Sequence, residues 1–299
     1  MLKAYRYRLY PTDEQAAFLN RQFGSVRYVY HWALALATTT YQTQGQGITR
    51  FFREKKGYPR FKSKRGKQSA TYPQGVTIHW ENGVLYLPKA GWIRTVFSRR
   101  FSGTVKTVIV SRVPSGQFFV SVLVEDENPV PDVIAETWER AVGGDLGLHD
   151  FLVLSTGEKY GHPQWLESEW YRLKILQRRL AKTAQGSKNR TKIRCKIARL
   201  HEQVANRRQD FLHKLSTDLV RRFDTVCIED LNLAGMARNP ALARRIAQSG
   251  WGEFRRQLEY KAHWYGKHVR VIGRFAPSSR LCLCGYYNPD LTLADRLRP

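Results

Sequence analysis

The sequence predicts a mixed β and α/β chain: an antiparallel barrel carrying a helical insertion, then an α/β domain. Three observations predict it. Between Ala70 and Glu125 the runs TYPQGVTIHW, GVLYLPK, WIRTVFS, TVKTVIVSRV and GQFFVSVLVE are short, β-branched or aromatic, and separated by Gly, Pro, Asn and Ser, which is a barrel or sandwich signature. From residue 140 onward a strand, a hairpin, long helices, a strand, a helix and a strand follow one another, α/β in the broad sense. The chain has 299 residues, and at ~150 residues per domain that is about two domains.

Taken in order, KAYRYRLYP alternates basic with aromatic or aliphatic residues from Lys3 to Leu9, a strand of period two. Thr12 caps a helix and Gln15 completes a capping box. Phe18, Leu19, Phe23, Val26, Tyr30, Leu34 and Ala37 then continue at helical steps, and Gly24–Ser25 predicts a break into two helices over about 13–42. From Thr49 to Lys67 there are nine Lys/Arg and one acid, with Phe51, Phe52, Tyr58 and Phe61 interleaved. Such a mixture suits a groove that tracks a phosphate backbone and stacks bases; its candidate contacts are Arg50, Arg53, Lys55, Lys56, Arg60, Lys62, Lys64, Arg65 and Lys67. With strand 3–9, the runs of 70–125 close one barrel (1–126) holding the helical stretch of about 12–69 as an insertion, and 127–139 is a linker.

In the second half a strand ends at Asp145, and a hairpin through Phe151–Leu154 turns at Ser155–Gly157. A helical stretch over about 166–222, broken near Gly186, carries sixteen Lys/Arg and five acids. This asymmetry makes it an electrostatic face, with Lys188 and Arg190 as candidate nucleic-acid contacts. A strand at 224–230, a helix at 250–266 and a strand at 268–275 complete a domain of 140–275.

Lys and Arg number 50 against 25 acids, a formal charge of +25. Self-repulsion of that size is relieved by a polyanion, and phosphate neutralisation is the main source of sequence-independent nucleic-acid affinity. The charge is spread along the chain rather than set beside one amphipathic helix, which favours nucleic acid over membrane. No run approaches the roughly 20 apolar residues of a membrane span, and MLKAYRYRLYP is not a secretory start. Four cysteines make no disulfide framework in a chain of this length, so a reducing cytoplasm is the expected compartment.

Two carboxylates terminate apolar strands. Asp145 lies between Gly144 and Leu146–Gly147, where small neighbours would let a ligand approach the backbone, and Glu229 ends Thr225–Ile228. A charge there is costly unless it meets a cation, and side by side the two acids would converge on one divalent ion. Mg²⁺ takes oxygen ligands and leaves room for substrate phosphate. The competing reading of the pair is strand-end acids that cap helices or pair with arginine.

In order along the chain, GGDLGLHDFLVLSTGE, RRQDFLHKLSTDLV, CIEDLNLAGM, GWGEFRRQLEYKAHWYG and APSSRLCLCGYYNPDLTLADR resemble TnpB (OrfB), the transposon-encoded RNA-guided nucleases related to type V CRISPR effectors. YRLYPTDEQ, FGSVRYVYHWAL and GYPRFKSKRG carry the same resemblance into the N-terminal part. It implies a wedge-like β-barrel with a helical recognition insert, then a RuvC (RNase H-like) nuclease domain interrupted by a zinc ribbon. It further implies Asp145 and Glu229 as catalytic Mg²⁺ ligands, a guide RNA derived from the transposon end and double-stranded target DNA as partners, and it admits a homodimer. Sequence is then read by base pairing while the protein reads shape and a flanking motif.

The chain departs from that pattern in three places. The family's third carboxylate follows the ribbon, and the sequence reaches Pro299 without it, so cleavage is expected to be impaired. Cys282-Leu283-Cys284 is one residue short of C-x-x-C and has no second pair, so 276–299 is expected to be a ribbon remnant without ordered Zn²⁺, which needs four ligands. Only residues 42–50 bridge Tyr41 and Phe51, where the family has more helix. Two further readings therefore stand beside the nuclease: a guide-RNA-dependent DNA-binding repressor without cleavage, and a decayed transposon product.

Overall fold

The computed structural model describes residues 1–44, 59–64, 66, 68–163 and 167–274. The chain divides into two compact units, one of residues 1–129 with 172–202, the other of 130–171 with 203–299. Residues 172–202, expected within the second domain, thus group with the first unit.

The first unit opens on β1 (Leu2–Tyr10), with Tyr7 and Leu9 buried and Arg6 and Tyr10 exposed. β2 (Gln68–Tyr72), β3 (Thr77–His79), β4 (Val84–Leu87), β5 (Gly91–Val96), β6 (Thr104–Arg112) and β7 (Phe118–Glu125) join it in one sheet ordered β2-β6-β7-β1-β5-β4-β3. Every pairing is antiparallel. The edge strands β2 and β3 are not bonded to each other, so the closed barrel expected from sequence is a curled, open sheet. Two features account for this: β3 has only three residues with which to extend a ladder, and a helix supplies the apolar cover that closure would have given.

That helix is α1 (Asp13–Gln44). Its start is the expected capping box: Thr12 N donates to Gln15 Oε1 at 3.0 Å and Gln15 N donates to Thr12 Oγ1 at 3.3 Å. Gln15 Nε2 also donates to the carbonyls of Ala90 and Trp92, tying the first turn to the start of β5. Leu19 and Phe23 enter the core beside Leu9, Leu85, Ile93, Val108, Val120 and Val122. The predicted break at Gly24–Ser25 does not occur. A mid-helix glycine costs about 1 kcal/mol, whereas burying Leu19 and Phe23 contributes about 1.5–3 kcal/mol each. Ser25 stays within the helix by donating its hydroxyl to Arg21 O at 3.3 Å.

The second unit is built on β8 (Ala141–Asp145), β9 (Asp150–Leu154), β10 (Lys159–Gly161), β11 (Thr225–Glu229) and β12 (His268–Ile272), ordered β10-β9-β8-β11-β12. β10, β9 and β8 pair antiparallel, and β8, β11 and β12 pair parallel. Parallel neighbours need long crossovers. α2 (Glu167–Ala181) and α3 (Lys188–Arg222) precede β11, with the expected interruption at Gly186, whose φ is +82°. α4 (Leu233–Met236), α5 (Pro240–Ser249) and α6 (Trp251–Trp264) lie between β11 and β12. Val142, Phe151, Leu152, Leu212, Leu219, Val226, Ile228, Phe254 and Leu258 make the core. The middle of the expected linker is irregular but fastened within this unit: Ile134 N donates to Gly266 O at 2.9 Å, and Glu136 pairs with His268 and Arg270. Among the described residues no helix is long and apolar enough to cross a membrane.

Candidate active site and nucleic-acid surface

β8 and β11 run parallel in the register Ala141–Thr225, Val142–Val226, Gly143–Cys227 and Gly144–Ile228. Asp145 and Glu229 each stand one residue beyond the last paired rung, so both acids lie at the C-terminal end of two adjacent inner strands. The apolar run behind them fixes this: Val142, Val226 and Ile228 are buried. A Cβ at Gly144 would sit 2.8 Å from Leu152 Cδ1 of β9, so a side chain there would press on the neighbouring strand.

Asp145 keeps an exposed tip, yet partial burial pushes its carboxyl above the usual carboxylate range. The negative charge of Glu229 adds to the shift, and a hydrogen bond from the backbone of Leu146 opposes it. Repulsion between two convergent acids is what a divalent cation relieves, and oxygen donors suit Mg²⁺. The donor chemistry of the two acids is compatible with such an ion. Among the described residues no group of three or more His, Cys, Asp and Glu side chains is gathered to hold a metal.

Glu229 also lines a cleft of 290 Å³ with Leu146, Ile228, Trp251, Arg255 and Arg256. Asp230, the acid that follows it, is committed elsewhere: Arg255 Nη1 and Arg274 Nη2 each lie 2.9 Å from its carboxylate. Arg256 binds Glu253 through two nitrogens, which holds that carboxyl down at about 2. The cleft lining thus sets Glu229 beside Arg255 and Arg256 of α6, with Arg255 also paired to Glu259 at 2.8 Å.

α6 is set by features that sequence reasoning missed. Gly250 takes φ +76° between α5 and α6, the left-handed conformation glycine adopts most readily. Lys261 is buried, and its ammonium donates to His213 O, Ser216 Oγ and Thr217 Oγ1 at 2.7–2.8 Å. Gln257 bridges Ser216 and Gln209 beside it. A lysine at an inward helical position, four residues after Gln257, is the only sequence signal for this network.

The predicted nucleic-acid contacts divide into groups. Arg60, Lys62 and Lys64 are exposed. Their backbone lies along α1, where Tyr30 donates its hydroxyl to Arg60 O at 3.2 Å and His31 Nε2 meets Lys62 O at 2.8 Å. Lys62 Nζ sits 4.2 Å above the Tyr30 ring, and Phe61 is 61% exposed, the interleaving a backbone-tracking surface needs. Lys188 is exposed at the start of α3, whose first turn holds no acid. Arg190 is partly used within the fold, since its Nη1 donates to Leu180 O and Thr183 O at 2.8 and 2.7 Å and so caps the end of α2. Arg50, Arg53, Lys55, Lys56, Arg65 and Lys67 lie outside the described residues, as do Cys282 and Cys284 of the expected ribbon.

Comparison with known proteins assigns the family. The OrfB family model, described as a probable transposase, matches residues 120–240. A helix-turn-helix model associated with OrfB matches 1–46, and a Cas12f1-like TNB domain model matches 251–298. A Streptomyces pristinaespiralis protein with the provisional name RNA-guided DNA endonuclease is 38% identical over 98% of this chain and 83% of its own length. An Escherichia coli K12 protein with the same provisional name, InsQ, is 30% identical over 95% of this chain and 84% of its own. A solved Cas12f1–sgRNA–target DNA complex aligns with 92% of this chain and 74% of its own at 15% identity and a TM-score of 0.49, too loose a likeness to add to the sequence relatives. With relatives at this identity matched along nearly all of its length, the chain belongs to the TnpB (OrfB) family.

Proposed function

We propose that this protein is an RNA-guided, divalent-metal-dependent DNA endonuclease with a RuvC-like (RNase H-like) domain. The observation that carries the reading is the convergence of Asp145 and Glu229 from adjacent parallel strands, with the Asp145 carboxyl pushed up by burial and by its partner. The provisional names of the relatives supply the reaction class. In this reading residues 1–126 are the wedge-like domain with its recognition insert, 140–275 the nuclease domain and 276–299 the ribbon remnant.

Asp145 and Glu229 would hold Mg²⁺, which when bound polarises the phosphoryl oxygen and lowers the pKa of a coordinated water. The chain's own residues do the rest. Arg255 and Arg256 hold the wall of the cleft beside Glu229. Arg60, Lys62 and Lys64 take phosphates of the guide or target without reading sequence. Base pairing with the guide RNA selects the DNA.

The test is purification of the full chain with its co-expressed transposon-end RNA, followed by incubation with a matched-target plasmid library in Mg²⁺. Cutting is expected, with Asp145→Ala and Glu229→Ala each reducing it by about a thousandfold or more, as for residues that act as a unit. One observation favours a second reading: among the described residues, no third acid joins the pair. Retention of the plasmid without any cutting would replace the nuclease with a guide-dependent DNA-binding protein.

A further inference from the structure

The two arginines of α6 that line the Glu229 cleft are held in different ways. Arg256 faces one acid, with Nε and Nη2 both on Glu253 at 2.8 and 2.6 Å, and its guanidinium carbon lies 5.4 Å from the Tyr260 ring. Among the described residues, those partners all belong to its own helix. Arg255 is held from two elements. Its Nε donates to Glu259 Oε1 of α6 at 2.8 Å, and its Nη1 donates to Asp230 Oδ1, one residue past the end of β11, at 2.9 Å. Arg274 Nη2 takes the other oxygen of Asp230 at 2.9 Å, so that anchor is itself fixed. The rigid guanidinium fork offers more N–H donors than these two anchors use. Among the described residues Nη2 of Arg255 meets no acceptor.

Holding the fold together does not account for this arrangement. Phe254 and Leu258 on the same helix are fully buried and seat α6 in the core. The side chains of Arg255, Asp230 and Glu259 stay 39%, 36% and 47% exposed, and ion pairs that wet contribute about 0–1 kcal/mol. What the two acids do supply is orientation, because a guanidinium bonded at Nε and at one Nη can no longer turn. The result is a fixed cation with a spare donor edge, lining the same 290 Å³ cleft as Glu229. Such a group suits an oxyanion.

We infer that Arg255 is a catalytic residue that grips a non-bridging oxygen of the scissile phosphodiester through Nη2, and that Asp230 and Glu259 are positioning residues that hold its guanidinium plane. Arginine rather than lysine suits the task, because its planar fork keeps its direction once anchored, whereas an ammonium is a point charge on a flexible stem. A donor oriented beforehand has no reorganisation to undergo as negative charge develops on the phosphoryl oxygens. The inference rests on the endonuclease reading and deepens it: it adds a cationic residue to a site so far described by its two acids.

The experiment uses the full chain loaded with its co-expressed RNA. Single-turnover cutting of a matched target in Mg²⁺ reads the rate, and filter binding of the same target in Ca²⁺ reads affinity. Isothermal titration with the dinucleotide pdTpdT in Mg²⁺ reads the phosphate contact apart from cutting. Arg255→Ala is expected to slow cutting about 100- to 1,000-fold, the worth of one transition-state donor, with target affinity unchanged and Tm moved by less than about 4 °C. Dinucleotide affinity should fall about 10- to 100-fold, as for a charged hydrogen bond. Arg255→Lys should cut at an intermediate rate, and free guanidinium ion should restore part of the rate in Arg255→Ala but none in Asp145→Ala. Cutting at the parent's rate in Arg255→Ala overturns the assignment, and so does a loss that tracks a fall in Tm or in target affinity. Dinucleotide binding that depends on Arg255, in a protein that cuts no DNA, sustains the phosphate contact while removing the endonuclease; Asp145-dependent cutting with no effect at Arg255 does the reverse.

Discussion

Asp145 carries a cost in the protein without a cation, and the sign of that cost can be worked out. Its carboxyl is held above the ordinary 3.8 by burial and by Glu229, so between 3.8 and the raised value the folded state binds more protons than the unfolded one. Stability then falls as pH rises through that window, and above it the penalty is constant. Asp145→Asn removes the repulsion and keeps the shape, so its Tm at neutral pH should exceed the parent's, with the difference closing below the ordinary carboxylate pKa. Mg²⁺ should raise the Tm of the parent and leave Asp145→Asn nearly unmoved, because a ligand that binds only the folded state stabilises it by mass action. Differential scanning fluorimetry across pH, with and without Mg²⁺, reads both. A parent whose Tm ignores Mg²⁺ would mean that the two acids hold no ion.

Among the elements, α6 carries the cleft arginines, and a buried ammonium joins Phe254 and Leu258 in fixing it against α3. Lys261→Met removes the donor shared by Ser216 Oγ and Thr217 Oγ1, while His213 O keeps the Thr217 hydroxyl, and should destabilise by about 1–3 kcal/mol in urea unfolding. A change below about 0.5 kcal/mol would show that the ammonium is replaceable by packing, as some buried charges are. Such a network was not legible in the sequence, because which lysine faces inward depends on how two helices pack. Local periodicity did expose β1, the strands of 70–125, the break at Gly186 and the two acid-tipped strands. The continuous α1 and the open sheet edges escaped it because each is decided by residues distant in sequence. The acids themselves were readable as strand-end charges, but their adjacency needed the parallel pairing of β8 with β11, and the roles of Gly144 and Arg190 needed Leu152 and the end of α2 in place.

For the molecule as a whole, the governing quantity is the formal charge of +25. Charges of one sign spread over both units repel in the free protein and are screened over about 10 Å at 0.1 M salt, so the isolated chain should gain stability as salt rises toward that range. Nucleic acid removes the same repulsion by neutralising phosphates, and its affinity must then fall as salt rises, with a slope set by the number of phosphates neutralised. These opposite salt dependences separate self-repulsion from binding. Reversing Arg60, Lys62 and Lys64 to glutamate changes the net charge by six. If those residues touch phosphate, the logarithmic salt slope for single-stranded RNA should fall by about 2, at ~0.7 for each phosphate no longer neutralised. If they only add to the distant field, affinity at low salt will drop while the slope stays near the parent's. The slope therefore decides whether the segment along α1 is an interface or merely part of the charge that brings nucleic acid to one.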